Sequence, residues 1–201
     1  MSLPPPVSPT PSPASSDDCP FCSIAHAHPP TAISTPPSSS TAHTILSTPT
    51  ALAFLDIFPL SPCHILLIPR RHAEKVADLL PGENAVLGAW LPILARAAQR
   101  VTGWEDFNVV QNNGVSAAQV VPHVHYHIIP RPNERQREQL AKDRSTGNGT
   151  PIYWKSPFGT GVREELDDDD AAKMVVELRR EVEKLVSELK VERLLRCGAV
   201  L

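Results

Sequence analysis

No Lys or Arg occurs before Arg70 in this 201-residue chain, and its formal net charge is −3 at pH 7. The first absence removes the basic face of a mitochondrial transit peptide. The second removes the global positive field that recruits nucleic acid in bulk, although a local phosphate site stays open. No apolar run approaches the roughly 20 residues that span a bilayer, and the N-terminal stretch lacks a secretory apolar core. The expectation is a soluble intracellular protein, cytoplasmic and also nuclear, with neither membrane nor nucleic acid as partner. Cysteines number only four. In a reducing compartment they are thiols or metal ligands before they are disulfides.

Residues 1–17 are rich in Pro and Ser, have almost nothing to bury, and read as a disordered tail. Residues 27–41 have a similar composition and read as a loop. Strand-like segments follow at Ile45–Leu46, at residues 51–55 and at 63–69 (CHILLIP), the last a central strand ended by Pro69. A short helical turn is expected over residues 74–80, broken by Pro81 and Gly82. From Glu83 to Val101 the apolar positions Val86, Leu87, Trp90, Leu91, Leu94, Ala97, Ala98 and Val101 follow the 3.6-residue period. That predicts an amphipathic helix, kinked at Pro92 and capped by Gly103. A strand over 107–111 leads through the turn at Asn112-Asn113-Gly114 toward a histidine-bearing strand. Residues 133–165 read as a mobile linker, and 166–201 as a helical extension whose aspartates suit a helix N-terminus. Mixed helices and adjacent strands with short turns predict an α+β domain with a largely antiparallel sheet, covering residues 18–132.

The densest chemistry lies in PHVHYHIIPR, from Pro122 to Arg131, with His123, His125 and His127 at alternate positions. In a strand the three imidazoles project from one face while Val124, Tyr126 and Ile128 face a core. Such a row suits metal ligation or chemistry on an anionic substrate. For metal, Cys19-x-x-Cys22 supplies two thiolates able to chelate one tetrahedral ion. If the strands bearing His64 and His123 are near each other, those two complete a Cys₂His₂ structural zinc site. For phosphate, a neutral imidazole is a good nucleophile toward phosphorus, and a second one stabilises the charge that develops. The small residues from Gly114 to Ala118 let backbone N–H groups approach an anion.

The run His123-Val-His125-Tyr-His127-Ile-Ile resembles the motif of the histidine triad (HIT) superfamily. Asn112-Asn-Gly-Val-Ser-Ala-Ala-Gln119 is similar to that family's phosphate-turn segment, and residues 51–72 (ALAFLDIFPLSPCHILLIPRRH) resemble its first block. Cys-Pro-Phe-Cys resembles the opening of its zinc-containing, Hint-like members. The resemblance implies a five-stranded antiparallel sheet with helices, pairing into a homodimer, and a purine nucleotide substrate. It implies His125 as the nucleophile at the α-phosphorus, giving a covalent nucleotidyl-histidine that water hydrolyses, with His127 binding and polarising the phosphate. Asn112 and Gln119 would contact phosphate or ribose, Asp56 the ribose hydroxyls, and Phe21, Ile24, Phe54 and Ile57 the base. The zinc ligands would be Cys19, Cys22, His64 and His123, while His72 is given no role. The alternative is a zinc-stabilised nucleotide-binding scaffold with little catalysis. Three features depart from the pattern: Ala118 where glycine is usual, Pro122 before the triad, and the long loop over 27–41.

Overall fold

A computed structural model describes residues 18–32, 42–145 and 165–189. The elements run α1 (Pro20–Ala27), β1 (Thr44–Ser47), β2 (Ala51–Leu55), β3 (Ile65–Pro69), α2 (Pro81–Thr102), β4 (Asp106–Gln111), β5 (Tyr126–Arg131), α3 (Glu134–Ser145) and α4 (Asp168–Leu189). The strands form one antiparallel sheet in the order β1-β2-β3-β5-β4.

The two central strands are buried on both faces, and their side chains divide by parity. Ala51, Ala53, Leu55, Ile65, Leu67 and Ile128 join the larger core, which α2 and α4 cover. Leu52, Phe54, Leu66 and Ile68 join a smaller core on the opposite face, roofed by Phe21 and Ala25 of α1. Directly opposed residues share a face, and His127 is paired with Leu66. The period of two therefore places His127 on the α1 face, away from the larger core.

Helix α2 begins at Pro81, two residues before the expected start at Glu83. Proline at the first helical position gives up a donor that would have no partner in the helix. Glu83 then reaches back to accept the Leu80 N–H at 2.9 Å. Pro92 lies within the helix on its exposed side. Gly103 closes it in the left-handed conformation, φ 68°. The buried stripe Leu87, Trp90, Leu94, Ala97, Ala98 follows the expected period. Helix α3 lies in the span read as a linker, and its start is a reciprocal cap. Asn133 Oδ1 accepts from Gln136 N–H and Gln136 Oε1 from Asn133 N–H, both at 2.9 Å.

Helix α4 is part of the core. Ala171, Val175, Leu178, Val182 and Leu185 are buried against α2 and the sheet, each large one contributing about 1.5–3 kcal/mol. Asp167 is its N-cap: its Oδ1 accepts from the N–H groups of Asp169 and Asp170 at 3.0 and 3.1 Å. Arg179 is buried beneath β1 and donates to the carbonyls of Thr44 and Ile45. The expected tail over 1–17, most of the loop over 27–41, and residues 146–164 and 190–201 lie outside the described residues. Among the described residues no helix is long and apolar enough to cross a membrane.

Candidate active site and metal centre

The three histidines do not all lie on the strand. Only His127 belongs to β5, while His123 and His125 occupy the irregular approach to it. The approach is nevertheless anchored, since Val124 N–H donates to Ala73 O at 2.7 Å. His125 and His127 lie edge to face with centroids 4.8 Å apart, and Phe21 packs edge-on to His125 at 5.2 Å.

Hydrogen bonds fix the tautomer of each ring. His125 Nδ1 lies 2.6 Å from His123 O. A carbonyl only accepts, so Nδ1 carries the proton and Nε2 keeps the lone pair. Burial also lowers the His125 pKa below its ordinary value, partly offset by that hydrogen bond, which favours the neutral, nucleophilic ring. Leu60 N–H donates to His64 Nδ1 at 3.1 Å, so in the neutral ring His64 Nε2 bears the proton. It is donated to His127 Nδ1 at 2.9 Å, which leaves the His127 proton on Nε2. Asp56 Oδ2 lies 3.5 Å from His64 Nδ1. With the Leu60 amide already on that nitrogen, this contact is an ion pair only when His64 is protonated. Asp56, His64 and His127 offer donor atoms close enough for a metal. Yet His64 Nδ1 is engaged by the Leu60 amide and its Nε2 by His127, so His64 orients the His127 ring and is not set as a chelating ligand.

A second group able to hold a metal ion is Cys19, Cys22, His72 and His123, whose donor atoms all lie within 4.8 Å of one another. The expected fourth ligand, His64, is not among them. The β3–β5 register explains the difference. His127 sits opposite Leu66, so continuing the pairing sets His123 beyond Pro69, about 20 Å along the strand from His64 at about 3.3 Å per residue. His72, just past the strand end, is the histidine within reach. The donor set fits zinc. Bonds of about 2.3 Å to sulfur and about 2.0–2.1 Å to nitrogen at a tetrahedral angle give S···N edges of about 3.5 Å. The observed separations are 3.4 Å for Cys19 Sγ–His123 Nδ1, 3.4 Å for Cys22 Sγ–His72 Nδ1 and 3.6 Å for Cys22 Sγ–His123 Nδ1. His123 Nε2 lies 2.9 Å from Pro69 O and donates its proton there, so Nδ1 turns its lone pair to the thiols. Burial pushes this imidazole down to about 4. Without metal, burial and the neighbouring Cys19 push the Cys22 thiol up to about 12, so an ion must displace protons to bind.

The remaining predicted residues divide into two groups. Phe21 and Phe54 meet edge to face at 5.6 Å, with Ile24 packed against the same cluster. Ile57 is exposed beside Asp56 in a turn closed by Phe58 N–H to Asp56 Oδ1 at 2.9 Å. Gln119 is engaged with backbone. Its Oε1 accepts the Gly114 N–H at 2.6 Å, and its Nε2 donates to Glu74 O at 2.7 Å and His123 O at 3.4 Å. It braces the turn over 114–118, whereas Asn112 donates to Ala118 O at 3.4 Å. Ala118 holds the left-handed conformation, φ 61°. That is costly for a residue with a Cβ and explains why glycine is usual there.

A buried neutral imidazole beside a second one oriented by His64, on the α1 face of a five-stranded antiparallel sheet, sets a nucleophilic nitrogen next to a hydrogen-bond donor. The chain belongs to the HIT domain family, whose sequence pattern matches residues 38–134. It is 42% identical over 113 residues to an adenosine 5′-monophosphoramidase of Schizosaccharomyces pombe, covering 56% of this chain and 76% of that protein. It is 30% identical over 148 residues to a bis(5′-nucleosyl)-tetraphosphatase [asymmetrical] of the same organism, covering 66% of this chain and 81% of that one. Among solved structures, a zinc-bound histidine triad family protein from Mycobacterium smegmatis superposes with a TM-score of 0.61 at 25% identity, over 87% of this chain and 99% of that one.

Proposed function

We propose that this protein is a nucleotide hydrolase that acts at the α-phosphorus of nucleoside phosphoramidates or dinucleoside polyphosphates through a nucleotidyl-His125 intermediate. The observation that carries this reading is the His125 ring: buried, neutral, with Nδ1–H held by the His123 carbonyl and Nε2 bearing the lone pair. The activities named for the relatives support it. In the reaction, His125 Nε2 bonds to phosphorus as the bond to the leaving nitrogen or oxygen breaks, a leaving nitrogen taking up a proton from solvent. The positive charge on the ring is stabilised by the His123 carbonyl at Nδ1–H. His127, its Nε2–H oriented by His64, donates to the phosphoryl oxygens. Water then attacks phosphorus and gives up a proton to solvent as the P–N bond breaks and neutral His125 returns. Asp56 holds the ribose hydroxyls, and Phe21, Ile24, Phe54 and Ile57 contact the base.

Zinc, held by Cys19, Cys22, His72 and His123, serves structure in this scheme. It ties α1 to the approach of the histidine segment, in an intracellular compartment that keeps the thiols reduced. The reading also includes a homodimer. Strand β4 is the sheet edge, nearly all of it exposed, with Phe107, Val109 and Val110 uncovered. A second β4 would satisfy that edge and cover those side chains. The test is a panel of adenosine phosphoramidate, diadenosine triphosphate and diadenosine tetraphosphate, assayed on wild type and His125→Ala with rapid acid-free quench. Expected are turnover and a histidine-linked nucleotide in wild type, both lost in the variant. Nucleotide binding without turnover on any substrate identifies a scaffold instead. Sedimentation of wild type as a monomer at assay concentration would remove the dimer.

A further inference from the structure

The turn expected to hold the ribose is tied to a distant part of the chain. It spans Asp56 to Phe58 at the end of β2, where Asp56 N–H donates to His64 O and Phe58 N–H to Asp56 Oδ1, each at 2.9 Å. From far along the chain, Leu166 N–H donates to Ile57 O at 2.8 Å. Leu166 is itself firmly placed. It precedes Asp167, the N-cap of α4, whose own carbonyl accepts Ala171 N–H at 2.8 Å. Its side chain packs against the larger core. Thus the N-terminal end of α4, fixed by a cap and the core beneath it, reaches the Ile57–Phe58 peptide, whose own N–H donates to the ribose carboxylate.

We propose that Leu166 is a positioning residue for nucleotide recognition: its backbone N–H, presented by the start of α4, holds the Asp56 turn in the orientation that grips the ribose hydroxyls. The inference rests on the ribose role given to Asp56 above. Each Asp56 oxygen has more than one lone pair, so closing the turn at Oδ1 leaves acceptor capacity for a hydroxyl. The direction of that capacity depends on the peptide plane at Ile57, which Leu166 fixes. The carboxy-terminal segment thereby contributes to selectivity for a ribose without touching the nucleotide.

The experiment compares kcat/KM for a ribonucleotide substrate and its 2′,3′-dideoxy analogue. Wild type is set against Leu166→Ala, which keeps the N–H, and Leu166→Pro, which removes it. Because proline can disturb the entry to α4, a second removal replaces the peptide nitrogen of residue 166 by an ester oxygen through incorporation of the α-hydroxy analogue of leucine. Expected is a fall in ribose discrimination of about fivefold on loss of the N–H, the typical worth of one hydrogen bond, carried in KM with kcat retained. Leu166→Ala retains the wild-type ratio, and in an Asp56→Ala background the ester has no further effect on it. If the ester variant keeps the full ratio, or if Leu166→Ala loses as much as the ester, the inference is overturned while the hydrolase reading stands. If wild type turns over neither substrate, both fall together.

Discussion

Exchange of one histidine for another decides which of them holds the metal. In His72→Ala the cluster keeps Cys19, Cys22 and His123 but loses the nitrogen 3.4 Å from Cys22 Sγ. In His64→Ala all four donors remain, because His64 points to Leu60 and His127. A metal saturated a thousandfold above its dissociation constant stabilises the folded state by about 4 kcal/mol. For a domain of this size each kcal/mol moves the melting temperature by about 2–4 °C, so chelation lowers it by about 8–16 °C. The assay is a thermal melt with and without a strong chelator, run beside elemental analysis of the purified protein. Wild type and His64→Ala are expected to hold about one zinc per chain and to show the full chelator shift. His72→Ala is expected to hold little metal and to melt at the chelated wild-type temperature whether or not chelator is present. Zinc retained by His72→Ala and lost by His64→Ala would refute the tetrahedral assignment and restore the quartet inferred from sequence.

The His64–His127 hydrogen bond makes a kinetic prediction. His127→Ala lowers kcat by about 10²-fold or more, as loss of one hydrogen-bond donor to developing charge does, and His64→Ala lowers it less, both with metal content unchanged by elemental analysis. Leu178→Ala, at a fully buried site on α4, costs about 2–5 kcal/mol by denaturant titration; a change within error would make α4 an appendage. His28 has its pKa lowered by burial and then by Arg70, and its Nδ1 lies 2.9 Å from Thr44 Oγ1. A folded-state pKa below the unfolded value means stability is fully present above about pH 6.5 and falls as acid protonates the unfolded chain first. The melting temperature should therefore fall from pH 7 toward pH 5, and His28→Asn should flatten that fall.

Much of this architecture is legible in the chain because the sheet obeys a period of two. The apolar run over residues 63–69 reads as a central strand, and the alternate histidines read as one chemical face. The ligand set is a different kind of question. His64 and His72 are both histidines flanking one strand, and only the pairing of Leu66 with His127 shows which end faces Cys19 and Cys22. Register is a long-range property, and residue types near a strand do not carry it. Helix α3 falls in a span whose charged composition reads as a linker, and its Asn133–Gln136 cap is evident only from the hydrogen bonds of the fold. Gln119 has the chemistry of a phosphate donor. Its commitment to Gly114 and Glu74 depends on how the turn folds back, which spacing alone does not reveal. Ala118, by contrast, is read correctly from the motif as an extra methyl at a glycine position, and its φ of 61° shows what that methyl must tolerate.

The division of β3 and β5 by parity has a consequence for how this protein can change. Ile65, Leu67 and Ile128 face the helices, whereas Leu66 and His127 face the reacting side. Substitutions that retune substrate choice and substitutions that retune folding fall on alternate letters of the same strands. Point variation at Ile65, Leu67 or Ile128 therefore bears on folding alone, whereas Leu66 and Ile68 also belong to the smaller core. Length variation spares neither property: one residue inserted or deleted in β5 turns His127 into the core and Ile128 out toward the substrate, and both are lost at once.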